Sequence, residues 1–420
     1  MRRRGRSAKV GGRQWGLKQM LAGAALAGLL LGTAGCTGGE PLTEQTGQPT
    51  TQVIAPQPFQ TQDPEKPLGD GEILYEEGVS PLRKEQEEVI HTYMTRAYAC
   101  MGRLEEPDFS DLFTDETQAL ASQSAIALQI GTRTLIDGID YTLTGYHYTL
   151  SCMQTGEVED GAVEVGAIET IVQNFTQLPG VDSERSGNFH HFVLEQVGGA
   201  WYIRSHMQYD TLYGQLLEDS ETDWRDGDLT AQYIEAMPGY LEQIQAAQEE
   251  REGQLGQASP LPQADHPYDR QAALEYADAY AMDRNGAWTD YSAVGGNCQN
   301  YVSQCLLAGG IPMDVSGGAV WKWYGSTPSN SPRAEGRSTS WTGVGSFRTY
   351  AADNTGFGLA AQVDAPYYSG QPGDLIQMGT EGVWRHAVII RDLVCDEQGN
   401  TVDYLINSNT NDMKNFPASL

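Results

Sequence analysis

A cysteine that follows two glycines and opens a helical pattern is the residue of this chain best suited to chemistry. Cys298 comes directly after Gly295-Gly296-Asn297, and apolar residues then recur at helical spacing until Gly309-Gly310 ends the pattern. Unpaired N–H groups and the positive dipole end at a helix N-terminus favour the thiolate form of a cysteine. We therefore expect Cys298 to be a nucleophile with a depressed pKa, whose own N–H helps to hold an oxyanion.

The same helical pattern contains a second cysteine, Cys305, two turns further along the same face. We expect this residue in the core. Because seven residues at helical rise separate two Cα atoms by about 10 Å, Cys298 and Cys305 are too far apart to form a disulfide. The alternative interpretation of Cys298 itself is a small core residue, since free cysteine is among the most buried residue types.

A thiolate that attacks an amide needs a base and a group that orients the base. Of the 7 histidines, only His266 and His386 lie in or beside this part of the chain, and His386 begins an apolar run typical of a buried strand. In the next strand-like run, Asn407 and Asn409 share a face because side chains alternate. Asn407, or alternatively Asn409, is expected to accept a hydrogen bond from His386. Either asparagine could instead cap the strand end.

These residues belong to a longer pattern that resembles a known family. The pattern comprises Tyr268-Asp269-Arg270, Asn297 to Gly310, Ser340-Trp341, Pro372 to Ile376, and His386 to Ile389. It looks like the "putative amidase domain" family of Gram-positive bacteria, which is similar to the papain-like, CHAP and NlpC-type cysteine hydrolases. The resemblance implies helices packed on an antiparallel sheet and a Cys298–His386–Asn407 site that needs no metal or cofactor. Asn297 departs from the aspartate expected before the cysteine.

The N-terminal sequence predicts export. Residues 1–35 contain seven Lys or Arg and no acidic residue, and a short apolar run follows this basic start. The run ends in Thr33-Ala34-Gly35-Cys36, which resembles a lipobox, so we expect lipidation at Cys36. An ordinary secretory signal and an uncleaved anchor are the alternatives. In each case the rest of the chain is exported, and the lipid would hold it at the outer face of a Gram-positive-like cell membrane.

The chain divides into five predicted segments. They are a signal peptide (1–35), a disordered tether (36–67), a smaller α+β domain (68–217), a helical connector and linker (218–267), and a papain-like amidase domain (268–420). In the smaller domain, two helical patterns precede strand-like runs that end in a hairpin at Gly198-Gly199. This order is similar to the nuclear-transport-factor-like cone fold. The predicted fold class is therefore α+β.

Composition excludes some partners. The chain has 26 Lys and Arg against 56 Asp and Glu, a net charge of −30, so it should not bind nucleic acid through a basic surface. The cysteines lack Cys-x-x-Cys spacing, so no zinc site is predicted. His190 and His191 are neighbours on a predicted strand and should point to opposite faces, which argues against a shared metal ion. The predicted partners are a peptide or peptidoglycan peptide as substrate, and the membrane through the lipid.

Compartment and family resemblance together predict an exported, membrane-anchored cysteine amidase or peptidase that hydrolyses amide bonds of cell-wall peptides. A thiol acyltransferase, in which an amine replaces water, is one alternative. The other is a lipoprotein binding module whose hydrolase-like part is inactive.

Overall fold

A computed structural model describes residues 33–36, 67–219, 227–260, 262–316, 319–354, 356–380 and 382–420. The predicted signal peptide before Thr33 and the tether between residues 37 and 66 lie outside the described residues. The described part has an α+β fold with one large mixed sheet of 11 strands. Among these residues, no helix combines the length and the apolar character that a membrane span requires.

The first part of the chain contains the two helices and the strands expected from its sequence, and in addition a strand before the first helix that was not expected. Asp115 accepts a hydrogen bond from the Gln118 N–H and so caps the second helix. Gly198 and Gly199 both have positive φ and form the turn of the predicted hairpin. In order, the elements are β1 (Thr33–Cys36), β2 (Gly69–Tyr75), α1 (Lys84–Arg103), α2 (Glu116–Arg133), β3 (Leu143–Glu157), β4 (Val163–Phe175), β5 (Ser183–Val197) and β6 (Ala200–Gln208).

Two helices then lead towards the second part, α3 (Thr211–Asp219) and α4 (Gly227–Glu252). Helix α4 belongs to the predicted helical connector, and its Gln- and Glu-rich sequence shows no continuous apolar face. In the structure it nevertheless has a buried face, because Tyr233, Met237 and Tyr240 of α4 pack against α2 in one apolar cluster. The apolar positions are widely spaced among polar ones, which hid the buried face in the sequence.

The second part begins with two helices that place Cys298. Asp269 caps α5 by accepting from the Ala272 N–H, and α6 begins at Cys298 as predicted. In order, the elements are α5 (Arg270–Tyr280), α6 (Cys298–Ala308), β7 (Trp323–Tyr324), β8 (Gly336–Arg337), α7 (Thr339–Thr342), α8 (Val344–Asp353), β9 (Ala361–Ala365), β10 (Leu375–Thr380), β11 (Val383–Cys395), β12 (Thr401–Ser408) and β13 (Asp412–Pro417).

One sheet runs through both parts, in the order β2-β3-β4-β5-β13-β12-β11-β10-β1-β9, with β6 paired to β5. β5 pairs with β13, where Met413 lies opposite Arg185, so the sheet crosses the predicted domain boundary. The apolar core is shared as well, because Leu405 of β12 packs in the same cluster as Tyr141. The Tyr141 hydroxyl also donates to a carboxylate oxygen of buried Asp403 at 2.6 Å.

This shared core predicts that residues 267–420 do not fold stably when expressed alone. Excision would expose Val394, Val402 and Leu405, which are buried in the common cluster, and each lost burial costs roughly 1.5–3 kcal/mol. We expect circular dichroism of the excised fragment to show no cooperative thermal transition, whereas residues 67–420 unfold cooperatively. A fragment that melts cooperatively at the same temperature as the longer chain would contradict the shared core.

Candidate active site

Helix α6 begins at Cys298, and the apolar face that follows along the helix is buried. Cys305 and Leu306 are fully buried and pack with Trp321 and Trp341, so the prediction of a buried Cys305 is confirmed. Most of the large aromatic residues between Cys298 and His386 form the core, namely Trp321, Trp341, Phe347 and Tyr350, whereas Tyr324 is exposed.

The Cys298 thiol lies against the backbone of β11. Its Sγ is 4.0 Å from the carbonyl oxygen of Arg385, and the Ala387 N–H also interacts with the sulfur. Burial raises the pKa of the Cys298 thiol above its usual value, and the nearby N–H groups offset this only in part. The expected depressed pKa is therefore wrong for this conformation, because the helix N-terminus does not compensate for lost hydration.

His386 lies on the opposite face of the sheet from Cys298. Ala387 and Ile389 of β11 pack with Cys298, whereas Val388 belongs to a different apolar cluster on the other face. The His386 ring follows this alternation, since its Nε2 is 2.9 Å from Ser408 Oγ and it lines a cavity of about 240 Å³ with Val388. Burial lowers the pKa of His386 to about 4, so the ring is neutral at pH 7. No hydrogen bond joins the two predicted catalytic groups within the described residues.

The predicted hydrogen bond between His386 and Asn407 is absent from the described residues, and Ser408 takes that place. The Asn407 side chain donates to Asp278 at 2.9 Å and accepts from the Asn415 N–H at 2.8 Å. Asn409 does not reach His386 either. As predicted, the two asparagines share a face, but this is the face of Cys298, so neither can orient an imidazole on the other side.

Asn409 instead fixes the residue that precedes Cys298. Its Oδ1 accepts a hydrogen bond from the Asn297 amide at 2.7 Å, and its own amide donates to the Tyr280 and Ala281 carbonyls. The Asn297 Oδ1 accepts from the Asn300 amide at 2.8 Å and from the Tyr291 N–H at 3.2 Å. This buried network sets where α6 starts and therefore where the thiol lies.

The network makes a prediction for Asn297→Asp, the residue that the family resemblance leads one to expect. A carboxylate would face the Asn409 oxygen, acceptor against acceptor, and one buried hydrogen bond would be lost at a cost of about 1–3 kcal/mol. We expect a lower melting temperature. Asn330→Asp is the matched control. The exposed Asn330 uses only its side-chain oxygen, which accepts hydrogen bonds from Thr339, and aspartate would keep these bonds. Equal melting temperatures for the two variants would contradict the network.

The sequence pattern did not indicate two features of this site. Ser408 lies between the two asparagines and was passed over, although alternation along β12 places it on the His386 face. Strand β11 also contains a bulge, since His386 pairs with Met378 and Trp384 pairs with Gly379, which leaves Arg385 as the extra residue. The bulge decides which side chains of β11 face Cys298.

The described residues contain no group of three or more His, Cys, Asp or Glu side chains that could hold a metal ion. His190 and His191 contact different residues, His206 and Glu164 respectively. All five cysteines whose side chains are described are free, so Cys100 and Cys152 form no disulfide.

Comparison with known proteins gives two findings. Residues 267–420 match the family described as "Putative amidase domain". The chain is also similar to the uncharacterized protein YhbB of Bacillus subtilis (strain 168), with 29% identity over 240 residues. That alignment covers 54% of this chain and 64% of the relative, so the chain spans less than two thirds of the relative's length. No solved structure matches the chain.

Proposed function

We propose that this protein hydrolyses amide bonds with Cys298 as the nucleophile. The match of residues 267–420 to an amidase domain supports amide hydrolysis in general. The observation that carries the proposal is the placement of Cys298 at the first residue of α6, with its sulfur beside the N–H groups of Gln299 and Ala387. These groups are arranged to stabilise a thiolate or an oxyanion once water is excluded. Attack on the substrate carbonyl forms a thioester and releases the amine, and water then releases the acid.

His386 is the proposed base, and it must first reach the Cys298 face. The bulge at Arg385 offers a route, because a shift of one residue in strand register moves a side chain to the opposite face. In this proposal the resting enzyme holds a neutral His386 against Ser408, and substrate binding accompanies the register change. His386 then accepts the thiol proton and donates it to the leaving amine. Asn407, the third member expected from the sequence, has no part in this resting arrangement.

A binding module without catalysis is the second candidate, and a specific observation favours it. The thiol is buried with a raised pKa, and the only imidazole of β11 lies on the other face. A fixed bulge would leave Cys298 without a base. The two candidates therefore differ in whether β11 rearranges.

Cell-wall peptides remain the proposed substrate, and the outer face of the membrane the proposed location. The location rests on the basic leader and the lipobox-like Thr33-Ala34-Gly35-Cys36, and the substrate rests on that compartment together with the family resemblance. In the structure the backbone of Thr33–Cys36 forms β1 between β9 and β10. Lipoprotein processing before Cys36 would remove most of this strand, so the intact mass of the membrane-bound protein decides between processing and retention of β1.

The test of function is the incubation of purified protein with peptidoglycan, followed by mass analysis of the soluble fragments. Amide hydrolysis adds one water to the sum of two fragments. The proposal predicts paired products with a new amine and a new carboxylate. Fragments that appear equally with heat-inactivated protein, or no fragments from wall or peptide amides, would favour the binding module.

A further inference from the structure

A cavity of about 420 Å³ lies in the first part of the chain, along strand β6. Its wall includes the consecutive residues Arg204 to Gln208 of that strand. Because side chains of a strand alternate between faces, a cavity on one face would be lined by every second residue. The cavity therefore follows the strand's edge. Among the described strands β6 pairs only with β5, and apart from one bridge between Phe113 and Ile203 its outer edge has no partner there.

Ser122 and His206 line the cavity and belong to a longer chain of buried hydrogen-bonding groups. Ser122 Oγ is 3.1 Å from His206 Nδ1, and His206 Nε2 is 3.1 Å from His190 Nδ1. His190 in turn lies 3.4 Å from the carboxylate of Glu169, which is 1% exposed. Burial lowers the pKa of His206, so Ser122 and His206 present neutral polar groups to the cavity. The amidase proposal uses none of these residues.

The outer wall carries charges of both signs. Arg204 contributes a guanidinium that forms no ion pair or hydrogen bond within the described residues. Exposed Glu159 also lines the cavity, as does Glu164, which is paired with His191 at 2.7 Å. A ligand bound here needs an anionic group to pair with Arg204. The unpaired strand edge adds a demand for backbone-like donors and acceptors.

We propose that this cavity binds a short, extended peptide that pairs with the edge of β6. The peptide's carboxylate lies towards Arg204, at the start of the open edge. Addition of a peptide strand to an open sheet edge is a common recognition mode, in which main-chain hydrogen bonds supply affinity. The cavity volume falls within the range of roughly 300–1,000 Å³ that is usual for small-ligand sites. This site is separate from Cys298 and does not depend on the proposed hydrolysis.

The test is calorimetric titration of the full chain carrying Cys298→Ala, so that no peptide is cleaved, with trialanine as the probe. We expect saturable binding of one peptide per chain. Trialanine amide, which lacks the carboxylate, should bind about tenfold more weakly. Arg204→Gln should weaken the binding of trialanine by a similar factor. The variant should bind trialanine and trialanine amide with equal affinity, because both changes remove the same contact. Lys84→Gln, an exposed change of the same charge on α1, is the matched control and should leave the affinity unchanged.

Backbone pairing has its own probe. Trialanine with an N-methylated central amide keeps both charged ends but loses one backbone donor, and we expect it to bind at least about tenfold more weakly. A trialanine analogue with a photo-reactive diazirine at the central side chain should crosslink to residues 118–125 or 204–208. Absence of saturable binding, affinity unchanged by Arg204→Gln or by N-methylation, or crosslinks confined to the surroundings of residue 298 would each overturn the proposal.

Discussion

Replacement of Cys298 by serine is expected to reduce amide hydrolysis by at least about a thousandfold. The hydroxyl of serine keeps the shape of the buried side chain, but its pKa is far above that of a thiol, and no base lies against it among the described residues. The measurement is the initial rate on a peptide amide or on peptidoglycan under saturating substrate. Circular dichroism should show the same fold for the variant and the wild type.

Cys305→Ser is the matched control. Cys305 lies on the same helix, is fully buried and has a pKa raised by burial, but it lies two turns from the proposed site. This variant should lose stability, because a buried hydroxyl replaces a thiol, while the folded fraction retains its rate per molecule. If Cys305→Ser abolished turnover and Cys298→Ser retained it, the nucleophile would be wrongly assigned.

The second prediction concerns the pH dependence of alkylation. The thiolate is the reactive form, and the structure raises the pKa of Cys298 by burial. A raised pKa moves the alkylation curve to higher pH, so the rate at neutral pH falls roughly tenfold for each pH unit by which the curve moves. We expect iodoacetamide to label Cys298 of the resting protein more slowly at pH 7 than in urea-unfolded protein, with labelling that increases at alkaline pH.

His386→Ala separates the resting arrangement from an ion pair. Since the His386 ring contacts Ser408 and not the thiol, its removal should leave the midpoint of Cys298 alkylation unchanged. A preformed ion pair predicts the opposite, namely fast labelling below neutral pH in the wild type and a midpoint that rises in His386→Ala. That outcome would contradict the separation of the two side chains across β11.

Local structure was predictable where a few neighbouring residues determine it. Cys298 starts α6 because glycines precede it and an apolar face follows, and Gly309-Gly310 end the helix. The hairpin after Val197 follows from two glycines between alternating runs. Single-strand alternation also placed Asn407 and Asn409 on a common face.

The relation between His386 and Cys298 required information that the sequence does not contain. His386 was expected at the entry of its strand, where a side chain can turn towards a neighbour. β11 begins instead at Val383, and the bulge at Arg385 fixes the face of every following residue. The bulge shifts the following residues of β11 by one position, and it arises in the pairing with β10. Periodicity along a single strand cannot show it.

The prediction of two separate domains missed the continuous sheet for a similar reason. β5 is long enough to pair with β6 near one end and with β13 near the other. Pairing between segments more than two hundred residues apart leaves no local pattern. The boundaries at residues 217 and 268 stay predictions, but the structure joins the segments they separate by strand pairing and by Tyr141 against Asp403.

The central claim, that Cys298 carries the acyl group during amide hydrolysis, is tested most directly by trapping the intermediate. The protein is mixed with a peptide substrate, quenched in acid within the first turnover, and digested for mass analysis of the peptide that contains Cys298. The account predicts a thioester-linked acyl mass on Cys298, absent from Cys298→Ser and present on Cys298 in Cys305→Ser. Hydrolysis with no acyl mass on Cys298, or with the mass on another residue, would contradict it.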